Sequence, residues 1–151
     1  MSYAKEVLVD AEGLILGRVA SAIAKLLKYG YKVYVVNVEK AVISGDPQMV
    51  KESYAKWFEI KTLRNPQKWS PHRPRNPVSM LKYAVRGMLP KHPFKKVVLL
   101  RRLKVYVGFP EEVRRLNLQP IKIPEADASK LGSRYITVGE VAKYLGWRGE
   151  V

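Results

Sequence analysis

A chain of 151 residues with 47% hydrophobic side chains has the length and core content of one domain, which excludes a disordered basic tail. It has no cysteine, so disulfides and thiolate zinc sites are excluded, and two histidines, His72 and His92, are too few for a histidine-rich metal centre. The formal charge of +15 is concentrated: Ile60 to Pro110 holds 13 Lys or Arg and no Asp or Glu, whereas residues 1–59 carry 8 basic and 7 acidic side chains and residues 111–151 carry 7 and 6. General basicity would spread over all three thirds. A surface confined to one third repels itself until a polyanion neutralises it, and nucleic acid, which releases counterions at each phosphate contact, is the expected partner. No apolar run approaches the ~18 residues of a membrane span. The N-terminus lacks the apolar core of a signal peptide, so the chain is expected to stay in the compartment where it is made.

In chain order, Val7–Asp10 reads as a short strand ending at the turn Ala11-Glu12-Gly13. Leu16, Val19, Ala20, Ile23, Ala24 and Leu27 then follow helical spacing, with Gly30 as a C-cap. Lys32–Val38 is nearly all apolar and β-branched, as in a strand covered on both faces. Strand, helix and strand in this length make a βαβ unit with parallel strands. Ala41–Ser44 is a third short apolar run. Asp46-Pro47 supplies an N-cap and first helical position for a helix to about Ile60, with Val50, Tyr54, Trp57 and Phe58 on its buried side. Asn65–Pro77 has four prolines in 13 residues, which forbids regular helix or sheet and predicts an extended arm. Asn76-Pro77 starts another helix with the stripe Leu81, Ala84, Val85 and Met88, ended by Gly87 and Pro90. Pro93–Arg102 is expected as a helix, although Phe94, Val97, Val98, Leu99 and Leu100 would equally suit a strand, and Leu103–Val107 is expected as a strand. Thr137-Val-Gly-Glu140 is a capping box for a short helix closed by Gly146.

Two constellations bear on chemistry. In the basic third, cations alternate with Trp69, Tyr83, Phe94 and Tyr106, and planar side chains stack on unpaired bases while Lys and Arg hold phosphates. Tyr83 and Phe94 lie inside apolar patterns and are expected in the core; Trp69, between Lys68 and Ser70, is expected to meet a partner. The pairs Lys95-Lys96 and Arg101-Arg102 are expected along one exposed edge. In the βαβ unit, Glu39 stands where a dinucleotide-binding domain holds a ribose hydroxyl, but the string Gly13-Leu-Ile-Leu-Gly17 is not the glycine fingerprint. Two turn glycines and a Glu39–Lys pair are the plainer expectation. The acids Asp10, Glu12, Glu39 and Asp46 could gather at strand ends, but the basic segment offers no carboxylate cluster for a nuclease metal, and there is no P-loop or nucleophile elbow.

Val85-Arg-Gly-Met-Leu-Pro90, followed by Leu103-Lys-Val-Tyr-Val-Gly108, resembles the signature of the large-subunit ribosomal protein thirteen family. Asp10-Ala-x-Gly13, Leu16-Gly17-Arg18, Val36-Asn37-Val38-Glu39-Lys40 and Ser44-Gly45 appear in the same order as in that family, and the long arm before the hexapeptide is similar to its archaeal and eukaryotic branch. One departure is Phe94-Lys95-Lys96, where many members have Gly or Ser. The resemblance implies a three-layer α/β/α domain with a mostly parallel sheet, plus a basic proline-rich arm and a helical extension. It implies a non-enzymatic structural component of the large ribosomal subunit that binds large-subunit rRNA, supports early assembly and touches neighbouring ribosomal proteins. No cofactor, metal, membrane or homo-oligomer is implied.

On that basis residues 1–151 form one domain, with an RNA-binding segment 60–104 and a C-terminal extension 111–151. Arg64, Arg73, Arg75, Arg86, Arg101 and Arg102 are expected to grip phosphates with forked donors, and Lys61, Lys68, Lys91, Lys95, Lys96 and Lys104 to act as point charges. Trp69 and His72 would stack or wedge, His92 and Gly87 join the contact set, and Arg18 at a helix start is a further candidate. The alternatives are a nucleotide-dependent enzyme using the βαβ turn and a free regulatory RNA-binding module.

Overall fold

The computed structural model describes residues 5–149. Strand β1, Glu6–Asp10, leads through Gly13 (φ +72°) into helix α1, Leu16–Lys28. All six apolar positions predicted for α1 are buried. The helix stops at Gly30 (φ +92°): its N–H donates to the Leu27 carbonyl and that of Tyr31 to the Leu26 carbonyl, a Schellman ending that needs the left-handed backbone glycine adopts freely. Strand β2, Lys32–Val36, is two residues shorter than its apolar run. Asn37 turns left-handed (φ +56°), and Val38–Lys40 form a 3-10 turn. Strand β3, Val42–Ser44, and helix α2, Pro47–Glu59, follow. Pro47 is the first helical residue as expected, but Asp46 does not cap α2; its carboxylate accepts from the Arg134 guanidinium at 3.3 Å.

The arm carries one unexpected element, the helical turn α3, Pro66–Trp69. Proline at its first position loses no hydrogen bond, so the local composition permits a single turn. Helix α4, Pro77–Met88, is capped by the Asn76 side chain, which accepts from the Ser79 N–H at 2.7 Å. Gly87 lies inside its last turn, and Leu89 rather than Met88 is buried at its end. Helix α5, Pro93–Arg101, and strand β4, Leu103–Val105, complete the middle third. Beyond it come α6 (Glu111–Arg114), β5 (Pro120–Ile121), β6 (Tyr135–Thr137) and α7 (Val138–Tyr144). Thr137 caps α7 by accepting from the Glu140 N–H, and Gly146 (φ +110°) closes it.

The sheet order is β4-β2-β1-β5, parallel throughout, with Val9 opposite Val35, Val33 opposite Leu103, and Leu8 opposite Pro120. Strand β3 pairs antiparallel with β6 in a separate ribbon. Side chains alternate across a strand, and both alternations here are apolar. Val9, Val33, Val35 and Leu103 pack with α1, α4 and α7, while Leu8, Tyr34 and Val36 pack with Val113 of α6 and with Phe109 and Leu118. These are the three layers of an α/β/α fold. Residues 111–149 supply a strand of the main sheet, the second strand of the ribbon and part of the core.

Three expectations about burial fail together. Helix α2 has no fully buried residue, Trp57 is 40% exposed, and Tyr83 and Phe94 are exposed as well. Trp57 of α2 and Tyr83 of α4 meet the arm at Arg73, whereas Phe94 of α5 lines a separate groove with Lys28 and Pro90.

Candidate nucleic-acid interface

Among the described residues no arginine of the arm forms an ion pair, and three of them lie over aromatic rings. The Arg73 guanidinium lies between the rings of Trp57 of α2 (3.7 Å to the centroid) and Tyr83 of α4 (4.8 Å). Arg75 lies over Phe58 of α2 at 4.3 Å. Each such stack is worth about 0.5–1 kcal/mol at an exposed site and more when water is excluded. It also leaves the planar edge of the guanidinium, with its forked N–H donors, free for a phosphate. Burial raises the phenol pKa of neighbouring Tyr54, with the Arg73 cation opposing the shift. Farther along the arm, Arg64 and Lys68 each stand 5.5 Å from the Trp69 ring centroid, and Trp69 is exposed as its sequence position implied.

An open groove of about 520 Å³ runs between the arm, α4 and α5. It gathers four of the expected residues, His72, Arg73, Arg86 and Arg101, with Lys82 beside them and Tyr83, Val97 and Leu100 as apolar lining. A second cavity of about 680 Å³ under the arm brings Lys61, His72, Arg73 and Arg75 together with Trp57 and Phe58. The Ser70 hydroxyl, also on that cavity, is buried and has no hydrogen-bond partner among the described residues. Four ion pairs occur among the described residues: Lys32–Glu6, Lys40–Glu12, Lys122–Asp10 and Arg134–Asp46. None uses a cation of the basic segment.

The other expected residues are dispersed. Lys91 and Lys95 are exposed around the start of α5, and Lys96 is half-buried. His92 sits at the N-cap of α5, where its Nδ1 accepts from the Lys95 N–H at 3.5 Å. Gly87 is exposed, and a Cβ there would meet nothing within 4 Å. Arg102 lies near Gly30, away from its sequence neighbour Arg101, and Lys104 is exposed on the edge strand β4. Arg18 does not line the groove; its guanidinium donates to the Glu125 carbonyl at 3.3 Å. Sequence reasoning missed Lys82, although its spacing of four from Arg86, opposite buried Leu81 and Val85, places it on the same exposed stripe. It also missed Trp57 and Tyr83, because aromatic residues at helical spacing read equally well as core.

The strand ends, where a doubly wound fold would hold a cofactor, are occupied by the chain itself. Asp10 accepts from the Glu12 N–H and the Asn37 side-chain amide, both at 3.0 Å, and buried Glu39 accepts from the Gly108 N–H at 3.0 Å. Glu39 is therefore paired with backbone rather than with a lysine. Asp10, Glu12 and Asp46 go to Lys122, Lys40 and Arg134, and among the described residues no group of three His, Asp or Glu comes together as a metal site. No helix of the described residues is long and apolar enough to cross a membrane.

The family described as Ribosomal protein L13 matches residues 4–112. The chain is 50% identical over 148 residues to the large ribosomal subunit protein uL13 of Aeropyrum pernix, covering 98% of this chain and 94% of that one. It is 49% identical to the uL13 of Sulfolobus acidocaldarius, covering 93% of each chain. It is 48% identical to that of Saccharolobus solfataricus, covering 95% and 94%. Match and relatives extend across the βαβ unit, the arm and both signature segments, and so the chain belongs to the L13 family of large-subunit ribosomal proteins.

Proposed function

We propose that this protein is a structural, non-enzymatic constituent of the large ribosomal subunit in the cytoplasm, where it binds large-subunit rRNA through residues 60–104 and supports early assembly. Neighbouring ribosomal proteins are its other partners. The observation that carries the reading is that every carboxylate found in an ion pair is matched to a cation outside the basic segment. The charge of the middle third is left for an external polyanion. Gly87 adds support: its surroundings are open and its φ is not positive, so nothing in the fold requires a glycine there. Bare backbone at that point lets a phosphate chain approach closely. On this reading the domain is one rigid body, with the arm and α5 as its RNA face.

The test combines location with mechanism. In sucrose gradients of cell extract the protein is expected to co-migrate with the large subunit and to stay there after a high-salt wash. Release by salt would mark a peripheral factor, and sedimentation at the top of both gradients would favour a free regulator. In vitro, replacing Lys95, Lys96, Arg101 and Arg102 by Gln is expected to weaken rRNA binding and flatten the dependence of affinity on salt. An unchanged slope would remove those four residues from the interface.

A further inference from the structure

Helix α5 reads Pro-Phe-Lys-Lys-Val-Val-Leu-Leu-Arg, yet none of its residues is fully buried. A helix with so much apolar surface is ordinarily covered. Here Phe94 is 73% exposed and Val97 is 50% exposed. Spacing of three and four residues divides the helix into two flanks. Val97, Leu100 and Arg101 line the groove shared with the arm, whereas Phe94, Val98 and Leu99 line a separate groove of about 310 Å³ on the other side. Pro90 completes the apolar floor of this second groove, and Lys28 of α1 and Lys95 form its rim. The lining contains no acid and no hydrogen-bond acceptor side chain.

We propose that this second groove receives an unpaired nucleobase of the bound RNA, stacked on the Phe94 ring, with the flanking phosphates held by Lys28 and Lys95. The proposal rests on the rRNA-binding reading and adds a residue and a mode of contact to it. An aromatic face over an apolar floor matches the flat face of a base, and ammonium groups, which only donate, match the phosphates on either side of it. A strand crossing the α5 ridge then meets Lys82, Arg86 and Arg101 in the first groove and Lys28 and Lys95 in the second. This charge complementarity favours a nucleic-acid occupant over a segment of a neighbouring protein. The Phe94 ring has no hydrogen-bonding group, so the groove reads the presence of a base and not its identity.

Stacking and phosphate contacts differ in salt dependence, and that difference gives the test. Binding of transcribed large-subunit rRNA is measured across a salt series for the wild type and for Phe94→Ala, Phe94→Trp and Lys95→Gln, with melting curves to check folding. Phe94→Ala is expected to lose about tenfold in affinity, within the range of one stacked base, with the salt slope unchanged, and Phe94→Trp to keep wild-type affinity. Lys95→Gln is expected to lower the slope by about one. A folded Phe94→Ala protein that binds within twofold of wild type at every salt would overturn the base-stacking proposal and leave the rRNA reading standing. The same unaltered RNA affinity combined with failure to enter subunits would assign the groove to a neighbouring protein. Absence of rRNA binding by the wild type would remove both readings together.

Discussion

Glu39 is 3% exposed, and its carboxylate links the end of β2 to Gly108, the last residue of the second signature segment, at 3.0 Å. Asn37 beside it bonds Asp10 at the end of β1, and its N–H donates to the Gly108 carbonyl at 2.9 Å. Gly108 takes φ +66° there, which explains a glycine at that position of the motif. Three segments far apart in sequence are therefore fastened at one end of the sheet by a buried carboxylate and an asparagine. Glu39→Ala would leave the Gly108 N–H without its charged acceptor and is expected to cost about 2 kcal/mol. In a chain of this size that is a fall of roughly 4–8 °C in melting temperature. Glu39→Gln, which retains an oxygen for the N–H, is expected to lose less than half as much. Equal losses in the two variants, measured by thermal melting, would show that packing at position 39 matters and not the hydrogen bond. From sequence alone Glu39 was ambiguous between ribose ligand and lysine partner, because a Gly108 N–H is invisible until the strands are aligned.

At the scale of elements, the arm is fastened to the body by stacked side chains rather than by a hydrogen-bonded ladder. Proline removes donors from four of its positions, so main-chain pairing is scarce. Arg73 between Trp57 and Tyr83, and Arg75 on Phe58, supply the attachment instead. On the rRNA-binding reading, the same contacts hold the arginine edges in one orientation and would lower the entropy lost when a phosphate binds. Trp57→Ala is expected to accelerate tryptic cleavage at Lys61, Arg64 and Lys68 several-fold in the free protein while changing the melting temperature by only a few degrees. Trp57→Phe should restore much of the protection, and unaltered digestion of Trp57→Ala would show that the stack does not hold the arm. The starts of α2, α4 and α5 were legible in the sequence because Pro stands at the first helical position of each, and the ends of α1 and α7 because a glycine follows them. The exposure of Trp57, Tyr83 and Phe94 was not legible, since an apolar stripe does not reveal how much sheet remains to cover it.

For the whole molecule, a net charge of +15, with 13 cations and no acid between Ile60 and Pro110, opposes folding of the free chain. The melting temperature of the isolated protein is expected to rise with added NaCl, as screening relieves repulsion among exposed cations. The variant with Lys95, Lys96, Arg101 and Arg102 replaced by Gln should melt higher than wild type at low salt while binding rRNA less tightly. These opposite signs identify residues retained for binding rather than for stability. A variant that melts lower than wild type at low salt would show that the four side chains serve packing.

Composition and spacing alone determined the basic third, the βαβ opening, the five longer helices and the signature segments, because charge runs, apolar periodicity and the backbone limits of Pro and Gly are properties of the local chain. Only the tertiary structure decided which cations share a groove. It set Arg18 against the Glu125 carbonyl, turned Arg102 away from Arg101 and brought Lys82 in beside Arg86. It also decided that residues 120–121 extend the main sheet and that aromatic rings of α2 and α4 face the arm. Those outcomes depend on how much apolar surface one sheet can cover and on which strand ends meet, and both are set by contacts between residues distant in sequence.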